Sequence, residues 1–175
     1  MGSAAEGLIA GRHAAPEANS AARLIALLLP SALLAGALGS QYLGGLSPCE
    51  MCYWQRWPHG AAILLAAVAF TAPAESSRAR ALVLLAALAI AVSGAIGVYH
   101  AGVEAKIFEG FTTCTASASG GSTADLLKQI TQAPLIRCDE VQFSFLGISM
   151  AGWNAILSLG GAALILILAL RAKRA

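Results

Sequence analysis

Charge is what this chain has least of. Only 11% of its 175 residues are Asp, Glu, Lys or Arg, against about 25% in soluble domains. A mean hydropathy of +0.72 accompanies a hydrophobic share of 58%. That balance excludes a water-soluble domain, and the length suggests a single domain. Other signals are missing as well. There is no alternating apolar pattern of the kind a transmembrane β-barrel needs, and no strand, glycine loop and helix unit marks a flavin or nucleotide site. Cysteine is scarce, with four in the chain. Cys49 and Cys52 form a Cys-x-x-Cys pair, but Tyr53 stands where haem attachment requires His. A closed zinc site wants its ligands as close-spaced pairs, whereas Cys114 and Cys138 lie far apart, so no metal is expected.

What the chain does have is apolar length. Four stretches, 22–43, 51–72, 79–102 and 146–170, reach the roughly 20 residues that a helix needs to cross a hydrocarbon core. Unpaired backbone groups are costly in lipid, so such runs read as helices. Short links at 44–48 and 73–78 make neighbouring helices antiparallel. The expected fold is an all-α integral membrane protein, a four-helix transmembrane bundle with a long loop, 103–145, between helices three and four. Residues 1–21 show no apolar period and are expected to form a cytoplasmic N-terminal tail ahead of the membrane domain, 22–175. The first stretch can also be read as a signal peptide, although its apolar run outlasts the usual length of about 7 to 15 residues.

Basic residues orient the bundle. Arg12, Arg23, Arg78, Arg80, Arg171, Lys173 and Arg174 fall on one side, while Arg56, Lys106, Lys128 and Arg137 on the other are diluted by acids. The positive-inside rule then puts both termini in the cytoplasm and the cysteine-bearing segments outside. In a bacterium this is a multi-pass protein of the inner membrane whose loops face the periplasm, where disulfides persist. Gly94, Gly97 and Gly152 within the spans read as packing surface. Trp54, Trp57, Tyr99 and Trp153 read as an interfacial belt. In the loop, 117–122 resembles a hinge. Residues 123–132 set Leu126, Leu127 and Ile130 on one helical face, either against the membrane surface or against the bundle top.

The Cys-x-x-Cys pair lies at the start of helix two. Ser47 as N-cap, Pro48 at the first helical position and Glu50 at N3 make a helix-start signature. Both thiols then fall in the first turns, where free N–H groups and the helix dipole favour a thiolate. Arg56, four residues beyond Cys52, shares its face and adds a fixed cation; the alternative is an arginine reaching for lipid phosphates. Pro58 is expected to kink the helix. Cys114 and Cys138 bracket the loop and read first as a disulfide. A plain structural clamp and a disulfide that exchanges with the first pair both fit.

These residues together resemble the DsbB family of disulfide bond formation proteins. The likeness rests on PCEMCYWQRW at 48–57, on His100 at the outer end of helix three, on Cys114, and on CDEVQFSFLGISMAGW at 138–153. The resemblance implies a quinone-dependent protein-disulfide oxidoreductase. Such a protein reoxidises a periplasmic DsbA-type dithiol protein and passes the electrons through two cysteine pairs to ubiquinone or menaquinone. By the same resemblance Cys114 receives the partner's thiol, Cys138 is its loop partner, Cys49 exchanges with Cys138, and Cys52 faces the quinone. Arg56 and His100 match family residues near the quinone, where a cation stabilises developing negative charge and a histidine can donate a proton. An interfacial ring without redox duty is the plain alternative for His100. Glu50, Met51 and Gln55 depart from the family's best-known pattern and leave the redox tuning open. A relative serving a different exported thiol partner, and a non-catalytic module stapled by disulfides, are the competing readings.

Overall fold

The computed structural model describes residues 3–110, 122–124 and 137–174 of the 175, with side chains between Glu17 and Arg171. Four long helices carry most of them: α1 (Ser3–Tyr42), α2 (Glu50–Ala69), α3 (Ser77–Glu104) and α4 (Met150–Arg174). The backbone of α1 is helical well before residue 22, where the apolar run begins. That leading segment has no apolar face, but it is rich in alanine, the residue that most readily propagates a helix already nucleated downstream.

Among the described residues, three helices are long and apolar enough to cross a membrane: α1 from Glu17, α3, and α4 as far as Arg171. The composition of α2 is more polar, because its 20 residues include Gln55, Arg56 and His59. Gln55 and His59 are turned inward and buried. The helices close a ring in which α1 packs on α2, α2 on α3, α3 on α4 and α4 on α1. Gly97 and Gly94 let α3 approach α4 closely. A Cβ on Gly97 would stand 3.0 Å from the Ala151 carbonyl oxygen, and one on Gly94 2.8 Å from Leu159 Cγ. This is the small-residue packing by which helices gain van der Waals contact in lipid.

The two ends of the bundle are built differently. Around Ala26, Ala66, Ala69, Val83, Ile90 and Ile165 the interior is apolar apart from the buried Asn19 and Arg23. There Arg23 reaches across from α1, donates to the Ala69 carbonyl at 2.6 Å and the Ala72 carbonyl at 3.2 Å, and lies 4.5 Å over the Phe70 ring. With those terminal carbonyls satisfied by an arginine, α2 stops at Ala69 rather than at residue 72.

At the opposite end the chain enters α4 through a hairpin. Strands β1 (Ser144–Phe145) and β2 (Ile148–Ser149) pair antiparallel, with Leu146 and Gly147 between them at φ of 53° and 77°. Two successive positive φ values are the tight turn that matches strand twist. The helix therefore starts at Met150 and not at residue 146, although the apolar run includes both. The Trp153 indole N–H donates to the Phe145 carbonyl at 3.0 Å and ties the hairpin to α4. The 117–122 hinge and the 123–132 helix lie outside the described residues, apart from Ser122, Thr123 and Ala124.

Candidate active site

Cys49 itself caps α2, in place of the expected Ser47. Its backbone is extended, with φ −77° and ψ 172°, and its sulfur accepts from the Cys52 backbone N–H at 3.3 Å. Cys-x-x-Cys has the same N-cap to N3 spacing as the Ser-x-x-Glu capping box, so the thiol takes the place a hydroxyl usually fills. Cys49 Sγ lies 3.0 Å from Cys52 Sγ, toward which it donates, and 3.6 Å from His100 Nε2. The hydrogen bond to Cys52 first, and burial second, push the Cys49 thiol above its ordinary range. Cys49 thus keeps its proton and shares it with the Cys52 sulfur.

Cys138 is docked against this pair. It is buried in one cluster with Cys49, Met51 and Val103, with Cys52 and Tyr99 packed alongside, and its backbone carbonyl faces the His100 ring. Its neighbours hold it there. Lys106 Nζ donates to both the backbone oxygen and Oδ2 of Asp139 at 2.7 Å, and Arg137 Nη2 reaches the same Oδ2 at 2.7 Å. Arg137 first and Lys106 second keep the Asp139 carboxyl well below the usual carboxylate range. Cys49, Cys52 and Cys138 are all free thiols. Cys114, the partner expected for Cys138, lies outside the described residues.

A buried hydrogen-bonded chain runs inward from the thiols. Gln55 Nε2 donates to His100 Nδ1 at 2.8 Å and to the Met51 carbonyl at 3.1 Å. Asn154 Nδ2 donates to Gln55 Oε1 at 2.7 Å, and Asn154 Oδ1 accepts from Ser158 Oγ and from His59 Nε2, both at 2.9 Å. Ser93 Oγ donates to the Gln55 carbonyl at 2.8 Å and lies 3.0 Å from His59 Nε2. Gln55, Ser93, His100 and Asn154 come from three helices and satisfy one another, as buried polar groups in lipid must.

Cys52, Arg56, His100 and His59 share the wall of a cavity of about 590 Å³, closed on one side by apolar residues of α1 such as Leu33 and Leu34. That volume is in the range of small-molecule sites. Arg56 is pinned to α1, with Nη1 donating to Gln41 Oε1 at 2.5 Å and Nη2 to the Ala37 carbonyl at 3.1 Å. Its Nε and the Nδ1 of His59 are buried without a hydrogen-bond partner among the described residues. An apolar chamber with a cation, a thiol and orphaned polar atoms suits a planar apolar ring bearing polar oxygens. A metal is the other group the site can hold. The ligand atoms of Cys49, Cys52 and His100 lie within 4.8 Å of one another, a donor set suited to a thiophilic ion.

The structure thus brings together Cys49, Cys52, His100 and Cys138, and sets Arg56 on the cavity wall. Sequence reasoning missed His59, Ser93 and Asn154, and treated Gln55 only as a departure from a pattern. A signal for them existed: polar side chains inside apolar spans are costly and mark functional paths.

Free thiols at a helix start, a third thiol docked on them and an imidazole between, all at one end of a bundle of membrane-type helices, suit thiol–disulfide chemistry in a membrane protein. The chain belongs to the DsbB family: the family described as Disulfide bond formation protein DsbB matches residues 5–168. It is 35% identical over 143 residues to Disulfide bond formation protein B of Methylococcus capsulatus, covering 78% of this chain and 85% of that protein. It is 23% identical over 139 residues to Uncharacterized protein RP370 of Rickettsia prowazekii, covering 78% and 79%. No solved structure matches it. Membership carries disulfide oxidoreductase chemistry in general terms.

Proposed function

We propose that this protein is a membrane thiol oxidase that reoxidises a DsbA-type dithiol protein and delivers the electrons to a membrane quinone, ubiquinone or menaquinone. The observation that carries this reading is Cys138 buried against Cys49 while Cys52 opens on the cavity. In the oxidised protein, the partner's two thiols reduce a Cys114–Cys138 disulfide and leave as a disulfide. The Cys138 thiolate then attacks Cys49 Sγ and expels Cys52. Attack of Cys114 on Cys138 re-forms the loop bond and leaves Cys49 and Cys52 as a dithiol, so each exchange makes one S–S bond for the one it breaks.

A quinone bound in the cavity supplies the acceptor for two electrons and two protons. Around it, Arg56 holds a fixed positive charge where negative charge develops. His100 Nε2–H faces Cys49 and can donate toward its sulfur as negative charge develops there. Apolar residues of α1 wall the cavity on one side. The ring packing of α2 supports a fourth crossing beside the other three, and the basic residues favour an inner-membrane orientation with both termini cytoplasmic and the thiols periplasmic.

The test is a stopped assay of quinone reduction by a reduced DsbA-type protein, with the purified protein in detergent. One quinone consumed per partner disulfide formed is expected. Partner oxidation that leaves the quinone untouched, or no partner oxidation at all, would overturn the proposal. In quinone-depleted membranes a relay accumulates reduced cysteines, whereas a structural staple stays oxidised.

A further inference from the structure

His59 belongs to the same face of α2 as Cys52, seven residues deeper, which on an α-helix is about 10 Å along the axis. Both line the one cavity. The ring is 3% exposed, and its two nitrogens are in contrasting positions. Nε2 sits 2.9 Å from Asn154 Oδ1, an atom that can only accept, and Asn154 is held in that orientation because its Nδ2 donates to Gln55 Oε1 at 2.7 Å. Ser158 Oγ donates to the same Asn154 oxygen. The network therefore places the ring proton of neutral His59 on Nε2 and leaves Nδ1 with a bare lone pair. Nδ1 is the atom that is buried without a partner.

We propose that His59 Nδ1 is the hydrogen-bond acceptor for a ring hydroxyl at the deep end of the cavity, and that it selects the quinol form of the ligand over the quinone. A quinone presents two carbonyl oxygens, which are acceptors and cannot satisfy a lone pair. The quinol presents hydroxyl donors in the same positions. Arg56, a donor only, stands one turn nearer the thiols and serves either form. The site is thus asymmetric, with a donor close to the sulfurs and an acceptor at depth, and it holds the product of quinone reduction more tightly than the substrate. His59 is in this respect a specificity-determining residue of α2. The inference rests on the quinone reading above.

The test is equilibrium binding, read by quenching of the intrinsic tryptophan fluorescence, of decylubiquinone and of its reduced form. Cys49 and Cys52 are both replaced by serine so that neither ligand exchanges electrons with that pair. His59→Gln retains an acceptor in its amide oxygen and serves as the control, whereas His59→Leu keeps the bulk and removes the Nδ1 acceptor. His59→Leu should weaken quinol binding by about tenfold, the loss of one buried hydrogen bond, and change quinone binding by less than about twofold on the same scale. Equal changes for both ligands, or no change for either, would overturn the inference while leaving the quinone reading intact. If the unaltered protein binds neither ligand, both readings fall. A second measurement needs no variant: imidazole ¹⁵N shifts should show His59 as the Nε2–H tautomer, with Nδ1 perturbed by the quinol and not by the quinone. A proton on Nδ1 would sink the idea.

Discussion

Gln55 Nε2 lies 2.8 Å from His100 Nδ1. Because the same nitrogen also donates to the Met51 carbonyl, the amide is fixed as a donor, and the imidazole lone pair must be at Nδ1. The proton of neutral His100 is then at Nε2, which faces Cys49 at 3.6 Å, Glu104 Oε1 at 3.9 Å and the Cys138 carbonyl. A residue that touches no sulfur thus decides what the sulfurs meet.

Gln55→Leu should leave the fold in place but release that ring, slowing thiol oxidation by roughly a hundredfold, as losses of positioned proton donors do. Gln55→Glu should retain more activity with an altered pH profile, since a carboxylate accepts from Nδ1–H and turns the ring to the other tautomer. Steady-state rates across pH for the two variants check this. Equal loss in both with unchanged profiles would contradict it.

The docking of Cys138 on Cys49 makes a covalent prediction. In Cys52→Ser, Cys49 is left as a thiol whose attack on Cys138 of a Cys114–Cys138 disulfide expels Cys114, so a Cys49–Cys138 disulfide with no Cys52 sulfur to resolve it should accumulate in the oxidised protein. Peptide mapping without reductant detects the linked fragments. Their absence would mean that the two sulfurs do not exchange.

Asp139 holds the Cys138 segment through Lys106 and Arg137. Asp139→Asn should slow formation of that cross-link by about threefold, the modest effect expected of exposed ion pairs. The pH dependence has a definite sign. The Asp139 carboxyl is depressed by its cationic neighbours, so the clamp is fully present above the unfolded carboxylate value of about 3.9 and is lost only as pH falls through the lower folded value. Cross-linking should therefore show no Asp139-dependent change between neutral pH and about pH 5. A loss in that interval would rule the clamp out.

Gly97 and Gly160 make a matched pair. A side chain at Gly97 meets the α4 backbone and Asn154 Nδ2 at 3.0 to 3.1 Å, whereas nothing lies within 4 Å of one at Gly160. Gly97→Leu should destabilise the protein in detergent by about 1–3 kcal/mol, the usual cost of overpacking, and Gly160→Leu should be tolerated. Thermal unfolding of both variants decides the point.

What could be read from the residues alone was what is local in the chain. Apolar runs announce α1, α3 and α4, because twenty consecutive side chains suffice to say that a helix prefers lipid. Ser47, Pro48 and Glu50 announce a helix start, although capping by sulfur shifted that start from Ser47 to Cys49. The chain from His100 through Gln55 to Asn154 and His59 could not be read this way, since its partners are 45, 99 and 95 residues apart. Leu146 in a left-handed conformation was equally hidden, as its apolar side chain suits a helix and only the pairing of Phe145 with Ile148 demands the turn.

The apolar packing of Ala66, Ile90 and Ile165 beneath His59 and Ser93 has an electrical consequence. Polar groups enter the bundle from the cysteine end and stop partway, so a proton that moves along them must return to the compartment it came from. No charge then crosses the full dielectric, and turnover should be insensitive to an imposed transmembrane voltage.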